Sequence, residues 1–287
     1  MLPLLANIAY KWSCDEMITE SVCECIKKSV ITLLNEIKPL VSDIVELLMH
    51  LYSANHQSSI LEISKQLITL FGKDPDLDVN LKNFYVQLCN HTLALCEENL
   101  RQQTNLIEQF YLISTYILKK MNSFYQYNLL DVASMFRCAM SSLNLHEKPT
   151  VKAVATFISE FINNSREIEG MNKIVNEEVE NLVGQVLIVI GGTRDSPRSV
   201  VEFMADILMS LNQKYFDNLC RCINIYIQKD NFPTSRVQRD QKEHFIRLIL
   251  KERKNKRKLR EIINEFSLTC RGLIGTEYGN QPIKLPF

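Results

Sequence analysis

The clearest pattern in the chain is a pair of apolar helical stripes, separated by a short turn, in residues 172–211. Gly191-Gly192 ends the first stripe, and Ser196-Pro197 predicts an N-cap followed by a first-turn proline. Two amphipathic helices joined this closely predict an antiparallel hairpin. The first helix places apolar side chains at spacings of three and four, hence on one face: Ile174, Val175, Val179, Leu182, Val183, Val186, Leu187 and Ile190.

The same pattern recurs along most of the chain, and a single hairpin cannot bury both of its apolar faces without neighbouring hairpins. Predicted hairpins start near residues 39, 79, 130, 168 and 212. These intervals scatter about the ~40–47-residue period of HEAT and armadillo repeats and exceed the ~33–34 residues of ankyrin and tetratricopeptide repeats. The pattern therefore predicts an all-α fold: a right-handed α-solenoid of HEAT-like antiparallel helix hairpins over residues 1–271, followed by an irregular tail, residues 272–287.

Several local features are specific expectations. We expect one helix from Met17 to Ile37, with Pro39 starting the next, and another from Leu106 to Phe124. Asp131 should cap the helix that follows it. The first residues form an apolar half-helix without a cap, so we expect the chain to begin inside a repeat and to expose an apolar patch there.

Composition narrows the function classes. The chain has 33 basic and 33 acidic side chains, so no net field draws it to nucleic acid or membrane. Residues 229–271 nevertheless carry thirteen Lys and Arg against six Asp and Glu. Nine cysteines without a disulfide spacing pattern indicate a reducing compartment, and no apolar run is long enough to predict a membrane span.

We find no motif that predicts catalysis, a metal site or a cofactor. The five histidines fall in different predicted hairpins, and none has the i, i+4 partner of a zinc site. Gly191-Gly192 follows a helix and lacks the Gly-Lys-Ser/Thr ending of a phosphate loop, so it is better interpreted as a helix stop. The basic run from Lys251 to Arg260 could be a nucleic-acid patch, but its apolar periodicity favours a solvated helix face that partly contacts acidic neighbours.

Longer blocks of the chain resemble the C-terminal part of karyopherin-β nuclear transport receptors. The blocks are Ser29–Leu34 (SVITLL), Leu61–Phe71 (LEISKQLITLF), Leu130–Phe161 (LDVASMFRCAMSSLNLHEKPTVKAVATFISEF), Val189–Asn212 (VIGGTRDSPRSVVEFMADILMSLN), Leu250–Glu261 (LKERKNKRKLRE) and Cys270–Tyr278 (CRGLIGTEY). The resemblance implies a HEAT solenoid that shuttles between cytoplasm and nucleus, carries protein cargo past nuclear pore proteins and is controlled by Ran-GTP. It also implies that the main Ran contacts lie in an N-terminal arch that nothing here matches.

In HEAT receptors the second helix of each hairpin lines the concave surface, and the resemblance therefore suggests which residues face cargo. On two such helices the polar side carries eight candidates: Lys152, Thr156, Glu160, Asn163, Arg198, Glu202, Asp206 and Met209. They could equally be ordinary solvated residues. Two other functions remain open: a helical scaffold or adaptor without a transport role, and a nucleic-acid-binding repeat whose binding would depend strongly on salt.

Overall fold

The computed structural model describes residues 2–192 and 196–276, and in this part of the chain all regular structure is helical. The all-α prediction is confirmed. Short 3₁₀ segments join several of the α-helices, which are α1 (Leu2–Lys11), α2 (Glu16–Leu33), α3 (Val41–Ala54), α4 (Ser58–Phe71), α5 (Asp78–Asn99), α6 (Thr104–Lys120), α7 (Val132–Ser142), α8 (Lys148–Asn164), α9 (Glu169–Gly191), α10 (Met204–Lys214), α11 (Phe216–Gln228), α12 (Arg239–Lys251) and α13 (Lys256–Arg271).

Side-chain caps and glycines define several of the helix ends. Asp15, Asp131 and Asn255 each accept a hydrogen bond from the backbone N–H three residues later, at 3.0, 2.9 and 3.0 Å. These bonds satisfy N–H groups that the first turn of a helix leaves without a partner. Gly192 and Gly272 end α9 and α13 with φ of 72° and 67°, the left-handed conformation that glycine adopts without strain. The predicted stop at Gly191-Gly192 and the predicted cap at Asp131 are both confirmed.

Two predicted helices are shorter than expected. The helix predicted from Met17 to Ile37 ends at Leu33, where Leu34 turns to φ 48° and a 3₁₀ segment, Leu34–Leu40, follows. Pro39 lies inside that segment and does not open the next helix, because a tight turn tolerates a residue without a backbone N–H. The helix predicted to reach Phe124 ends at Lys120, and a 3₁₀ turn follows it.

The segment before α10 also differs from the prediction. Residues Arg198–Phe203 form a 3₁₀ helix, and Pro197 occupies its N-cap in an extended conformation with ψ 145°. The α-helix predicted to start at Pro197 therefore begins only at Met204. Because a 3₁₀ helix turns about 120° per residue and an α-helix about 100°, this segment rotates its side chains relative to the predicted face.

The chain divides into two compact units, residues 1–135 and 136–287, with the division inside α7. In the first unit each helix packs on the helix two positions further along: α1, α3 and α5 form one layer, and α2, α4 and α6 form the other. The paired helices α1/α2, α3/α4 and α5/α6 also contact each other. Three stacked hairpins of this kind bury the apolar faces that no single hairpin could bury alone.

The second unit follows the same rule and then departs from it. Helix α8 packs on α10, and α9 packs on α11, again two positions apart. Helix α13 contacts both α9 and α10, while α12 lies against α11 and α13. Residues 198–214 therefore lie between α8 and α13 and contact both.

The apolar patch expected near the first residues is present in part. Ile8 is 37% exposed, whereas Leu2 and Leu5 are half-buried, and Val22, Ile26 and Val30 on the apolar face of the next helix, which we expected to join the patch, are buried. The irregular tail predicted for residues 272–287 is described only as far as Thr276, where it forms turns. Residues 277–287 lie outside the described part of the chain.

Candidate partner-binding surface

Three ion-pair contacts join residues 198–214 to α8 and α13. Lys148, the first residue of α8, lies 3.2 Å from the carboxylate of Glu202. On the opposite side of α10, Asp206 lies 2.7 Å from Lys256 and 3.7 Å from Arg260, both on α13. The beginnings of α8 and α13 are therefore placed at the same end of this surface, on either side of α10.

The candidates on α8 lie on its solvent side. Lys152 is exposed, and Thr156, Glu160 and Asn163 are half-buried. The Thr156 hydroxyl donates to the Lys152 carbonyl at 2.7 Å, so this hydroxyl satisfies a backbone group of its own helix. Of the four, Lys152 offers the most accessible charged group.

Two candidates on the second helix do not face solvent. Glu202 is 5% exposed and Met209 is 9% exposed, so the expectation that they contact cargo is corrected. The 3₁₀ turns of residues 198–203 rotate Glu202 toward Lys148 on α8. Met209 is covered because α10 lies between α8 and α13 and packs against both.

The two remaining candidates are partly covered. Asp206 is 19% exposed through its side chain and is flanked by Lys256 and Arg260. Its Oδ1 is 2.7 Å from the Lys256 ammonium without hydrogen-bond geometry, so charge attraction is the main component of this contact. Arg198 is half-buried. Neither acidic candidate on this helix is therefore available as a free carboxylate.

The basic run is a solvated surface with partners in the fold, as its periodicity predicted. Beyond the two cations on Asp206, Lys258 lies 3.8 Å from Glu252, and Arg253 lies over the Phe216 ring at 3.8 Å from its centroid. The Glu252 carboxylate accepts the backbone N–H of Asn255 at 2.9 Å, and this bond holds the pKa of Glu252 below its usual range. The α12–α13 corner is therefore a fixed structure whose charged side chains remain largely exposed.

Sequence reasoning missed two side chains that support this surface. The Asn212 amide donates to the carbonyls of Ile249 and Glu252 at 2.9 and 3.1 Å and thereby satisfies the carboxyl end of α12. Arg271 donates to the carbonyls of Ser196 and Val189 at 2.8 and 3.3 Å. Burial lowers the pKa of Arg271, although a guanidinium stays protonated in proteins. The partners lie 37 to 82 residues apart in sequence, so no local pattern indicates them.

Two of the histidines that the sequence placed in different hairpins are in fact neighbours. The ring centroids of His56 and His91 are 6.4 Å apart, and each ring also contacts Tyr52. Burial, and then the charge of His91, lower the pKa of His56. In residues 2–192 and 196–276 no group of three metal-ligating side chains has the geometry to hold an ion. No helix within these ranges is long and apolar enough to cross a bilayer.

Comparison with known proteins shows that this chain is similar to importin-13. Residues 1–96 match the family model for the transportin-3/importin-13 fourth TPR domain, and residues 143–219 match the importin 13 repeat. Importin-13 of Rattus norvegicus is 35% identical over 275 residues, which is 96% of this chain. Importin-13 of Homo sapiens is 34% identical over the same length. This chain resembles importin-13 over nearly its whole length.

More distant relatives and a solved structure agree. The importin beta-like protein kap111 of Schizosaccharomyces pombe is 24% identical over 77% of this chain. A solved structure of importin-13 in its cytosolic state covers 95% of this chain with a TM-score of 0.87 at 25% identity. The prediction of a helical solenoid of HEAT-like hairpins is confirmed by this likeness. The chain spans 28% of the length of the importin-13 relatives and 31% of that solved chain.

Proposed function

We propose that this chain is a cargo-binding segment of a nuclear transport receptor, corresponding to the C-terminal part of the receptor. The observation that carries the proposal is the similarity to importin-13 over 96% of the chain. It is supported by the stacked hairpins, in which α8 and α13 carry exposed polar side chains on either side of the largely buried residues 198–214. A surface built from rigid helices suits protein binding, because its side chains are held in place before the partner arrives.

The partners in this proposal are protein cargo, Ran-GTP and nuclear pore proteins, and the receptor shuttles between cytoplasm and nucleus. Ran-GTP is expected to bind mainly outside this segment. The role is one of binding and transport, not of catalysis, and it involves no cofactor. Of the eight sequence candidates, the proposal keeps Lys152, Thr156, Glu160, Asn163 and Arg198 as cargo-facing, together with the outer edge of Asp206.

A capture experiment with the full-length protein that contains this chain tests the proposal. The immobilised protein is incubated with cytosol in the presence of GTP-loaded Ran, with GDP-loaded Ran as the matched control. We expect the set of captured proteins to differ between the two nucleotide states. Identical capture in both would favour a scaffold or adaptor, and capture of RNA that vanishes at high salt would favour a nucleic-acid-binding repeat.

A further inference from the structure

Two acids of the proposed cargo surface are paired and largely buried within the fold, whereas most of the cations beside them remain exposed. Glu202 is paired with Lys148, and Asp206 is shared by Lys256 and Arg260. Lys152, one helical turn after Lys148, is exposed and makes no ion pair in the described part of the chain. We call Lys148, Lys152, Lys254, Lys256 and Arg260 the basic strip; three of its five cations pair with the two carboxylates.

Accessibility distinguishes the cations of the basic strip from those two carboxylates. The Lys256 side chain is 51% exposed and that of Arg260 is 34% exposed, whereas Asp206 and Glu202 are 19% and 7% exposed. Lys152 and Lys254 are exposed as well. Residues 251–261 carry seven Lys and Arg against two Glu, so a partner that approaches this surface from the α13 side meets mainly positive charge.

The position of the cations is unfavourable for the helices themselves. Neither α8 nor α13 carries an acid in its first turn, and lysine is the first residue of each. The amino end of a helix already bears partial positive charge, so acids there stabilise the helix and cations do not. Ion pairs with Glu202 and Asp206 offset this cost for Lys148 and Lys256, and local departures from such rules are typical of functional sites.

We propose that the basic strip is the docking site of an acidic, extended polypeptide segment of a protein partner. Neighbouring packed helices lie about 8–10 Å apart, so Lys152 on α8 and Lys256 on α13 are separated by about 20 Å across α10. An extended chain covers that distance with about six residues. Carboxylates at alternate positions of such a segment would reach the cations of α8 and α13 while the segment crosses α10.

The aromatic side chains of these helices favour a polypeptide over a nucleic acid. Proteins that bind single-stranded nucleic acid combine cations with exposed aromatic rings on which bases stack. In α8, residues 198–214 and α13 the aromatic side chains are Phe157, Phe161, Phe203 and Phe266, and all four are buried. Exposed acids also lie beside the basic strip: Glu147 directly precedes Lys148, and Glu261, which pairs with Arg257, directly follows Arg260.

The inference rests on the proposed function only for the nature of the partner, and its test measures binding without transport. The probe is a fluorescein-labelled peptide of alternating glutamate and serine, followed by fluorescence anisotropy with the full-length protein. Controls are the peptide with glutamine in place of glutamate and an oligothymidylate of equal charge. We expect the glutamate peptide to bind and the other two to bind at least about tenfold more weakly.

Two double variants locate the binding. Lys152→Glu with Lys256→Glu should weaken the affinity for the glutamate peptide by about tenfold or more. Lys173→Glu with Arg239→Glu, an equal change in net charge on exposed side chains elsewhere in the second unit, should change it less than about twofold. Circular dichroism and melting confirm that both variants fold. If the strip variant does not fold, Lys152→Glu alone replaces it.

Three outcomes would overturn the inference: no saturable binding by the unaltered protein, equal loss in both double variants, or tighter binding of the oligothymidylate. Peptide binding that follows this pattern in a protein whose cargo capture ignores Ran would leave the basic strip established and the transport proposal rejected. Ran-dependent capture without peptide binding would support the transport proposal and reject the basic strip as a docking site.

Discussion

The two units of the chain differ in part in the polar groups that join their helices. In the first unit the buried ties between helices are neutral hydroxyl groups: Tyr52 and Thr92 are 2.6 Å apart, and Tyr85 donates to Ser114 at 2.8 Å. Tyr125 donates to the Ser114 carbonyl at 3.0 Å. Hydrogen-bonded hydroxyl groups cost less free energy to remove from water than charged groups do, and salt does not screen them.

The second unit has such hydroxyl ties as well, between Ser165 and Tyr215 at 2.6 Å and from Ser267 to the Ile190 carbonyl at 2.7 Å, and it adds charged and amide side chains. Arg271 joins α13 to the end of α9, and the Lys148–Glu202 pair joins α8 to residues 198–203. Charged hydrogen bonds are stronger than neutral ones, but a buried charge that loses its partner is expensive. We infer that the second unit is the more sensitive of the two to loss of one polar side chain, and the following predictions test this difference.

The largest effect is expected at Arg271. Replacement by Met keeps much of the apolar stem but leaves the Ser196 and Val189 carbonyls without this donor. We expect a loss of about 3 kcal/mol in the free energy of unfolding, measured by urea denaturation, with faster amide hydrogen exchange in α9 and α13. The matched control is Arg239→Met, an 86% exposed side chain on α12. A loss of unfolding free energy no larger than that of Arg239→Met would contradict the inference that the second unit is the more sensitive one.

The next effect is expected at Glu202. Glu202→Lys would place a second ammonium beside Lys148 at a position that is 5% exposed, so we expect a loss of about 2 kcal/mol, reduced by the partial exposure of Lys148. Thermal melting measures it. Glu177→Lys, at an exposed position that pairs only loosely with Lys173, serves as the control and should change the melting temperature little. Equal melting of the two variants would show that Glu202 is solvated.

A smaller effect is expected in the first unit. Tyr85→Phe removes one buried hydroxyl, but Ser114 keeps its own bond to the Phe110 carbonyl at 2.7 Å. We therefore expect a loss of about 1 kcal/mol by urea denaturation. Tyr127→Phe, which removes a more exposed hydroxyl bonded to Asn83, should cost less. A loss at Tyr85 as large as that at Arg271 would remove the distinction between the units.

The smallest effect is expected at Glu252 and depends on pH. Its pKa is lowered in the folded state, first by the N–H of Asn255. Its stabilising contribution is therefore complete above the unfolded-state pKa of about 4.5 and is lost as pH falls through the lower folded-state value. Glu252→Gln should melt slightly below the unaltered protein at neutral pH, and the difference should shrink in acid. A difference in melting temperature that grows in acid would contradict the lowered pKa of Glu252 in the folded state.

Most of the helical pattern was predictable from the sequence, for a local physical reason. A spacing of three and four apolar residues fixes which face of a helix is buried, and Asp131 and Gly192 act on backbone groups within a few residues. The spacing of the hairpins followed as well, because each amphipathic hairpin requires neighbours of the same kind.

The polar surface was decided only by the tertiary structure. Amphipathic spacing shows that Glu202 and Asp206 lie away from the main apolar stripe, but not that α8 and α13 provide Lys148 and Lys256 to meet them. The 3₁₀ turns of residues 198–203 changed the side-chain direction, and the ion pairs join residues about 50 positions apart in sequence. The sequence determined which residues could be polar, and the packing of helices distant in sequence determined which charges remained exposed to a partner.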